Sequence, residues 1–412
     1  MSASNQLSTL NGFFKEAYAD KLGELIPDGV KLLNKIKFMS KDKQPGNLYH
    51  QPVILGMEHG VTFASSDEDA FNLNAPVAGV IKDAQIKGNP ILMRSLLGYV
   101  SASRAALGGQ KAFMDATKYL VANMLRSMAK KLEIELLYGQ VGYARISAVS
   151  GTLLTIKTSE WAPGIWAGAE GMPIEIRNSA GTTSRGESVV KSVDMDARTV
   201  TLQTAVPGID VTLGAEDIIW HKGAFGNEFA GVHRVLSISS GTLFNIDVGA
   251  FNLFKGNEFS AGSAALSFTK LNLAAARAVE KGLDNRVVAY VNPRAWANML
   301  SDQAALRKYD QSYSSKKAEN GSESLLFHSQ NGEIEIVPSI YVKEGYAYLL
   351  DEQAWSRVGS TDMTFKRPGQ GEEFFRDLEN SAAYELRLYS DQALFCYAPG
   401  RNTLIKDIVN VT

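Results

Sequence analysis

The stretch GQKAFMDATKYLVANMLRSMAKKLEIELLYG, Gly109 to Gly139, reads as one long amphipathic helix. Apolar residues recur at Phe113, Leu120, Val121, Met124, Leu125, Met128, Leu132 and Leu136, the spacing of a single dry face. Lys111, Asp115, Lys118, Arg126, Lys130 and Glu133 fill an opposite polar stripe. Gly108-Gly109 bars helix on the N-terminal side, and Gly139 is expected to take the left-handed conformation that ends one. About 30 residues at ~1.5 Å each give a rod of roughly 45 Å. A rod of that length needs a long platform, so the flanking chain must supply one.

Upstream, residues 1–47 read as a partly helical arm. One stripe, Phe13, Phe14, Tyr18, Leu22, Leu25 and Ile26, stops at Pro27, and a shorter one follows at Val30, Leu32, Leu33 and Ile36. The arm's lysines are largely offset by Glu16, Asp20, Glu24, Asp28 and Asp42, the pattern of a solvated face. From Leu48 to about Leu107 the chain turns extended: Gln51 to Leu55, Gly60 to Ala64, Val77 to Lys87 and Ile91 to Val100, broken by Pro and Gly. Nothing nearby in sequence covers this excursion, and a lone two-stranded ribbon is marginal in water. It is expected to lie on a neighbouring molecule.

Downstream, Ala144 to about Lys222 carries roughly six short β-branched runs separated by turn residues, the signature of a small barrel or sandwich set into the chain. Phe268 to Gly282 reads as helix, Arg286 to Val291 as a buried strand, and Pro293 to Tyr309 as a helix capped by Asn292. Tyr309 to Ser324 is polar and reads as a surface loop. The Asn-Gly of Ser329-Gln330-Asn331-Gly332 marks a hairpin between Leu325 to His328 and Glu333 to Val337. Further strands are expected at Ala347 to Asp351, Trp355 to Val358, Met363 to Lys366, Ala382 to Tyr389 and Ala393 to Tyr397, the last two returning beside the long helix.

Composition bounds the function. The 412 residues are 45% hydrophobic, enough for real cores, and carry 42 Lys+Arg against 44 Asp+Glu. A net charge of -2 excludes a protein that coats nucleic acid and leaves weak or local contact with DNA. Cys396 stands alone, so no intramolecular disulfide forms. The polar first ten residues lack the apolar core of a signal peptide, and no run of about 18 apolar residues occurs, so a soluble protein made in the cytoplasm is expected.

No catalytic constellation, metal or cofactor site is expected. His50, His59, His221, His233 and His328 are scattered without ligand spacing. Gly164, Gly168 and Gly171 are spaced wrongly for a dinucleotide turn and shape a β bend, and no G-x-S-x-G elbow is present. Asp194 and Asp196 sit in a hairpin turn that favours Asp. Trp161 and Trp166 beside Pro163-Gly164 suggest either a carbohydrate platform or barrel core.

The order of parts resembles a tailed-phage major capsid protein of the HK97-type fold. The likeness rests on Leu96-Leu97-Gly98-Tyr99 through Ala105 and Gly108-Gly109, on Lys111-Ala112-Phe113, and on Glu133-Ile134-Glu135-Leu136-Leu137-Tyr138-Gly139. Trp161 to Gly168 and Lys222 to Glu228 extend it. The resemblance implies an α+β fold with a spine helix, an extended E-loop hairpin and an inserted small all-β domain. Its divisions are an N-terminal arm (1–47), an E-loop (48–107), the spine helix with the start of the peripheral domain (108–143), and the β insertion (144–222). An axial domain with connecting segments (223–351) and a C-terminal return (352–412) complete it. It further implies a non-enzymatic subunit that self-assembles into pentamers and hexamers around double-stranded DNA, in a virion built in the host cytoplasm. The implied partners are copies of itself, a separate scaffolding protein, a portal and decoration proteins. Some members of that family cross-link an E-loop lysine, for which Lys82 and Lys87 stand in the right region. An encapsulin-like compartment shell and a carbohydrate-binding protein using the β domain are the alternatives.

Overall fold

The computed structural model describes residues 29–39, 47–67, 70–98, 116–300, 325–329, 332–366, 375–378 and 381–410. The first arm stripe, Gly108-Gly109, Phe113 and the polar stretch from Tyr309 to Ser324 lie outside the described residues.

The long helix is described over Ala116–Tyr138. Met124, Met128, Leu132 and Leu136 are buried, and Leu120 and Val121 pack against the same core. Leu125 departs from the expected dry face at 37% exposure, because it stands 100° around the helix from Met124, at the margin of the stripe. The polar stripe also fails in the C-terminal half. Every residue from Leu132 to Tyr138 is buried, Glu133 and Glu135 included, since other elements cover the helix on all sides there. Nor does Gly139 take the left-handed conformation; Gln140 does, at φ 65°. Gly139 is needed for close approach instead: a Cβ there would stand 2.2 Å from the carbonyl oxygen of Phe229, and Gly231 N donates to Gly139 O at 3.0 Å.

Two strands, β1 (Tyr49–Gly56) and β2 (Val80–Ile86), form an antiparallel ribbon that no third strand joins among the described residues. Gly60 to Ala64, expected as a strand, joins no ladder and is held by single contacts, Asn74 N donating to Thr62 Oγ1 and Asn74 Nδ2 to Val61 O, each at 2.9 Å. The excursion is also shorter than expected, because β3 (Asn89–Gly98) leaves it to pair along ten residues with a C-terminal strand.

Six strands close into a barrel: β4 (Ala144–Ser150), β5 (Leu153–Ile156), β6 (Pro173–Arg177), β7 (Ser184–Asp194), β8 (Thr199–Leu202) and β9 (Ile218–His221), in the order β4-β5-β8-β7-β6-β9. Alternate residues Ile146, Leu154, Ile156, Ile174, Ile176, Val190, Val200 and Leu202 fill it, which is the period-2 pattern of half-buried strands. Of the glycines expected to shape a β bend, Gly164 instead lies in a helical turn, Pro163–Trp166, with Pro at its first position where the missing N–H costs nothing, while Gly168 and Gly171 take positive φ, 70° and 83°, in the turns before β6.

After the minor hairpin β10 (Thr242–Leu243) and β11 (Ile246–Asp247), the chain builds a six-stranded mixed sheet. It comprises β12 (Asn257–Ala264), β13 (Val287–Val291), β14 (Leu325–Ser329), β15 (Gly332–Pro338), β16 (Ala347–Leu350) and β20 (Thr403–Ile408), ordered β12-β20-β16-β13-β15-β14. All five residues of β13 are buried because both faces are covered. Val287, Ala289 and Val291 face helices Phe268–Val279 and Pro293–Leu300, whereas Val288 and Tyr290 join the core that holds the long helix. Between β16 and β20, β17 (Trp355–Thr364), β18 (Phe375–Leu378) and β19 (Ser381–Cys396) make a second sheet that β3 completes. The two late strands expected at Ala382 to Tyr389 and Ala393 to Tyr397 are the one continuous β19, pairing with β3 on one side and with β17 and β18 on the other.

Candidate assembly surface

Among the described residues, the β1-β2 ribbon is anchored at its base. Ala84 and Ile86 are buried there, and Tyr49 meets the Phe395 ring edge-on with centroids 5.7 Å apart. Toward the tip the apolar side chains face outward: Ile54 is 73% exposed, Phe63 91% and Leu73 80%, with Met57, Val61 and Ile81 beside them. Scattered exposed apolar residues are ordinary, but this many on one two-stranded ribbon and the segment 57–79 that joins its strands mark a candidate interaction surface. Lys82 and Lys87 are exposed on and beside the same ribbon.

The segment 29–39 is clamped at both ends. Glu133 of the long helix accepts the backbone N–H groups of Lys31, Leu32 and Leu33 at 3.1, 2.9 and 2.7 Å, capping the short arm helix Leu32–Lys35. Burial raises its carboxyl above the usual range, and the three N–H donors pull it part of the way back. At the other end buried Arg357 donates to Ile36 O at 2.8 Å and forks onto Asp362 at 2.6 and 3.3 Å. Its backbone also pairs with the segment, Arg357 N to Lys37 O at 3.0 Å and Met39 N to Arg357 O at 2.9 Å.

Beyond the clamp, Glu135 lies under the loop 228–231. Its Oε1 accepts Phe229 N at 3.4 Å, while Oε2 has no hydrogen-bond partner among the described residues. Burial and then the neighbouring Glu228 push its carboxyl up to about 8, against a pull downward from Lys131. His221 nearby is drawn down to about 4, by burial and then by Lys131.

A buried charged junction ties the long helix, the barrel and the central sheet together. Lys343 Nζ donates to Glu160 Oε2 at 2.6 Å and to Gly142 O at 3.3 Å, its backbone N–H donates to Tyr138 Oη at 2.8 Å, and Tyr346 Oη donates to Glu160 Oε1 at 3.0 Å. Burial would raise Glu160, yet the Lys343 ammonium outweighs it and the carboxyl falls to about 2. Neither Lys343 nor Glu160 carries a sequence signal; Glu133 and Arg357 carry none either. The dense apolar run around Glu133, Leu132 to Tyr138, is the one hint that its helix turn is buried all round.

The sequence's chemical candidates resolve into structure. Trp161 and Trp166 stack with centroids 6.1 Å apart and are both buried, so they present no platform to a sugar. Asp194 Oδ1 accepts the N–H groups of Asp196 and Ala197 at 3.0 and 2.9 Å, closing its turn. Cys396 is buried, and burial pushes its thiol up, away from reactivity. Among the described residues no group of three or more His, Cys, Asp or Glu is placed to hold a metal ion, and no helix is long and apolar enough to cross a membrane.

No family model and no curated protein sequence matches the chain. Solved structures do. A chain of the cyanophage A-1(L) capsid asymmetric unit matches with a TM-score of 0.56 at 13% identity, over 98% of this chain and 99% of that one. The chain has the fold of a phage capsid protein. The capsid of a native GTA particle matches with a TM-score of 0.53 at 8% identity, over 99% of this chain and 100% of that one. The holo-SrpI encapsulin complex from Synechococcus elongatus PCC 7942 reaches a TM-score of 0.46 at 8% identity, over 100% of this chain and 99% of that one.

Proposed function

We propose that this chain is the structural subunit of an icosahedral phage head of the HK97 type. Pentamers and hexamers of it would close around a double-stranded DNA genome. The observation that carries the reading is the β1-β2 ribbon, which projects exposed apolar side chains such as Ile54, Phe63 and Leu73 that a free monomer has no use for. In this reading the ribbon is the E-loop and is buried by the adjacent subunit, the Ala116–Tyr138 helix is the spine, and the closed barrel at 144–222 is the insertion. Its partners are further copies of itself, with a scaffolding protein, a portal and decoration proteins. A near-neutral chain suits a container that holds DNA by enclosure and touches it weakly.

Electron microscopy of the full chain, expressed alone and with the proteins of its gene neighbourhood, tests this. Closed shells, or pentameric and hexameric rings, are the expected result. A protein that stays monomeric under every condition sinks the reading, and shells that enclose a protein cargo and no DNA point to a compartment shell instead.

A further inference from the structure

A groove of about 860 Å³ runs between the long helix, the start of β3 and the rim of the barrel. Ile91, Met93, Met128, Ile134 and Met172 give it an apolar floor. Glu135 lines it and is only 2% exposed, yet its Oε2 has no partner among the described residues and its Oε1 has one long contact, Phe229 N at 3.4 Å. An unpaired buried carboxylate oxygen costs free energy that a donor brought into the groove recovers. Four groups surround this carboxylate. Lys131, on the same helix, lies 3.9 Å from Glu228 Oε1 and donates to Tyr143 Oη. Glu228 comes from the loop 222–231, Tyr143 from the turn before β4, and His221 from the end of β9. Burial leaves His221 and Tyr143 uncharged at neutral pH. Once Glu135 and Glu228 both ionise, two carboxylates therefore face one ammonium, and the cluster lacks one positive charge. The other cations of the groove are engaged elsewhere. Arg94 pairs with Glu385 at 2.9 Å, Lys222 with Glu187 at 2.5 Å, and Lys130 donates to Ala167 O beside Glu170. Arg126 stands nine residues from Glu135, roughly 13.5 Å along the helix.

We propose that the groove binds a small molecule bearing a primary ammonium on an unbranched aliphatic chain, the ammonium donating to Glu135 and the chain lying on the apolar floor. An ammonium is a compact charge with three donors, so one group supplies both the missing hydrogen bond and the missing charge. The volume falls in the range of small-molecule pockets, roughly 300–1,000 Å³. Three methionines in the floor, Met93, Met128 and Met172, adapt their shape to a flexible chain. A proton competes for the same oxygen. Burial and Glu228 push the Glu135 carboxyl up to about 8, so at lower pH the ligand must displace a proton, and its affinity rises with pH until the carboxyl is ionised. The site is complete within one chain and does not depend on shell formation.

Calorimetric titration of the full-length unassembled subunit with hexylammonium chloride tests this. Saturable binding is expected, with an affinity that rises about tenfold from pH 6 to pH 7 and levels off above about pH 8. At pH 6.5 the heat should vary with the ionisation enthalpy of the buffer, reporting about one proton released per ligand bound. The uncharged 1-hexanol, which offers the same chain, should bind at least about tenfold more weakly at pH 8. Glu135→Gln is expected to abolish the pH dependence and to weaken binding at pH 8 by at least about tenfold, with circular dichroism showing that it is folded. Glu228→Gln keeps the receiving carboxylate and removes the like charge beside it, so the pH at which affinity levels off should move below 8. No saturable binding at pH 8, hexanol binding as tightly as hexylammonium, or an unchanged pH dependence in both variants overturns the proposal.

Discussion

Glu135 gives the long helix a pH signature. Its carboxyl titrates near 4.5 when unfolded and is pushed up to about 8 in the fold by burial and by Glu228. The folded state therefore holds the proton more tightly. The stability this group contributes is fully present below about pH 4.5 and is lost as pH rises toward 8. Relative to Glu135→Gln, the unsubstituted chain is expected to lose on the order of 3 kcal/mol between pH 5 and pH 8. Thermal unfolding of both proteins across that range checks it, and parallel curves refute the assignment. Met124, buried at 3% exposure, makes the complementary case. Met124→Asp places an unpaired charge in the core at a cost of about 3–5 kcal/mol, so loss of soluble protein or of particles is expected, and normal particle yield contradicts the packing.

At the scale of elements, the ribbon and the clamp behave oppositely. Phe63→Asp and Leu73→Asp change side chains that touch almost nothing within the subunit, so folding stability should move by less than about 0.5 kcal/mol. Under the proposed assembly, shell formation should fail, because a charge would then enter the face that the proposal buries against a neighbour. Circular dichroism melting beside sedimentation velocity separates the two effects; particles at normal yield from both variants would remove the ribbon from the assembly surface. Glu133→Ala instead leaves three backbone N–H groups without their acceptor, at a local cost of about 2–3 kcal/mol. Amide exchange across residues 29–39 is expected to rise sharply while the barrel stays protected. Both elements were partly legible. The extended text from Leu48 announced a ribbon, and Leu32, Leu33 and Ile36 announced an apolar arm turn. What receives that turn was not, since an acidic residue at helical spacing reads as solvent-facing until a second segment is laid over it.

Over the whole molecule, long helix, barrel and central sheet meet at Lys343 and Glu160. Lys343→Met strands a buried carboxylate and should cost about 3–5 kcal/mol, whereas Lys343→Met with Glu160→Leu removes both charges and should recover most of it. A shift of the unfolding midpoint measures each, and a double variant as unstable as the single one would argue that Gly142 and Tyr346, not the ion pair, carry the junction. The junction joins residues up to 205 positions apart in the chain.

The periodicity of the chain by itself determined most elements. Period 3.6 marked the long helix, period 2 with turn residues marked the barrel strands, and Asn331-Gly332 marked the β14-β15 turn, because local backbone preference and one-sided burial are written into neighbouring residues. Tertiary structure decided what those patterns could not hold. It took β3 out of the ribbon and gave it to β19, wrapped the last turns of the long helix so that Glu133 and Glu135 went inside, and made Gly139 a contact point with Phe229. Each of these depends on which distant segment arrives, and a residue's neighbours in sequence carry no record of its neighbours in space.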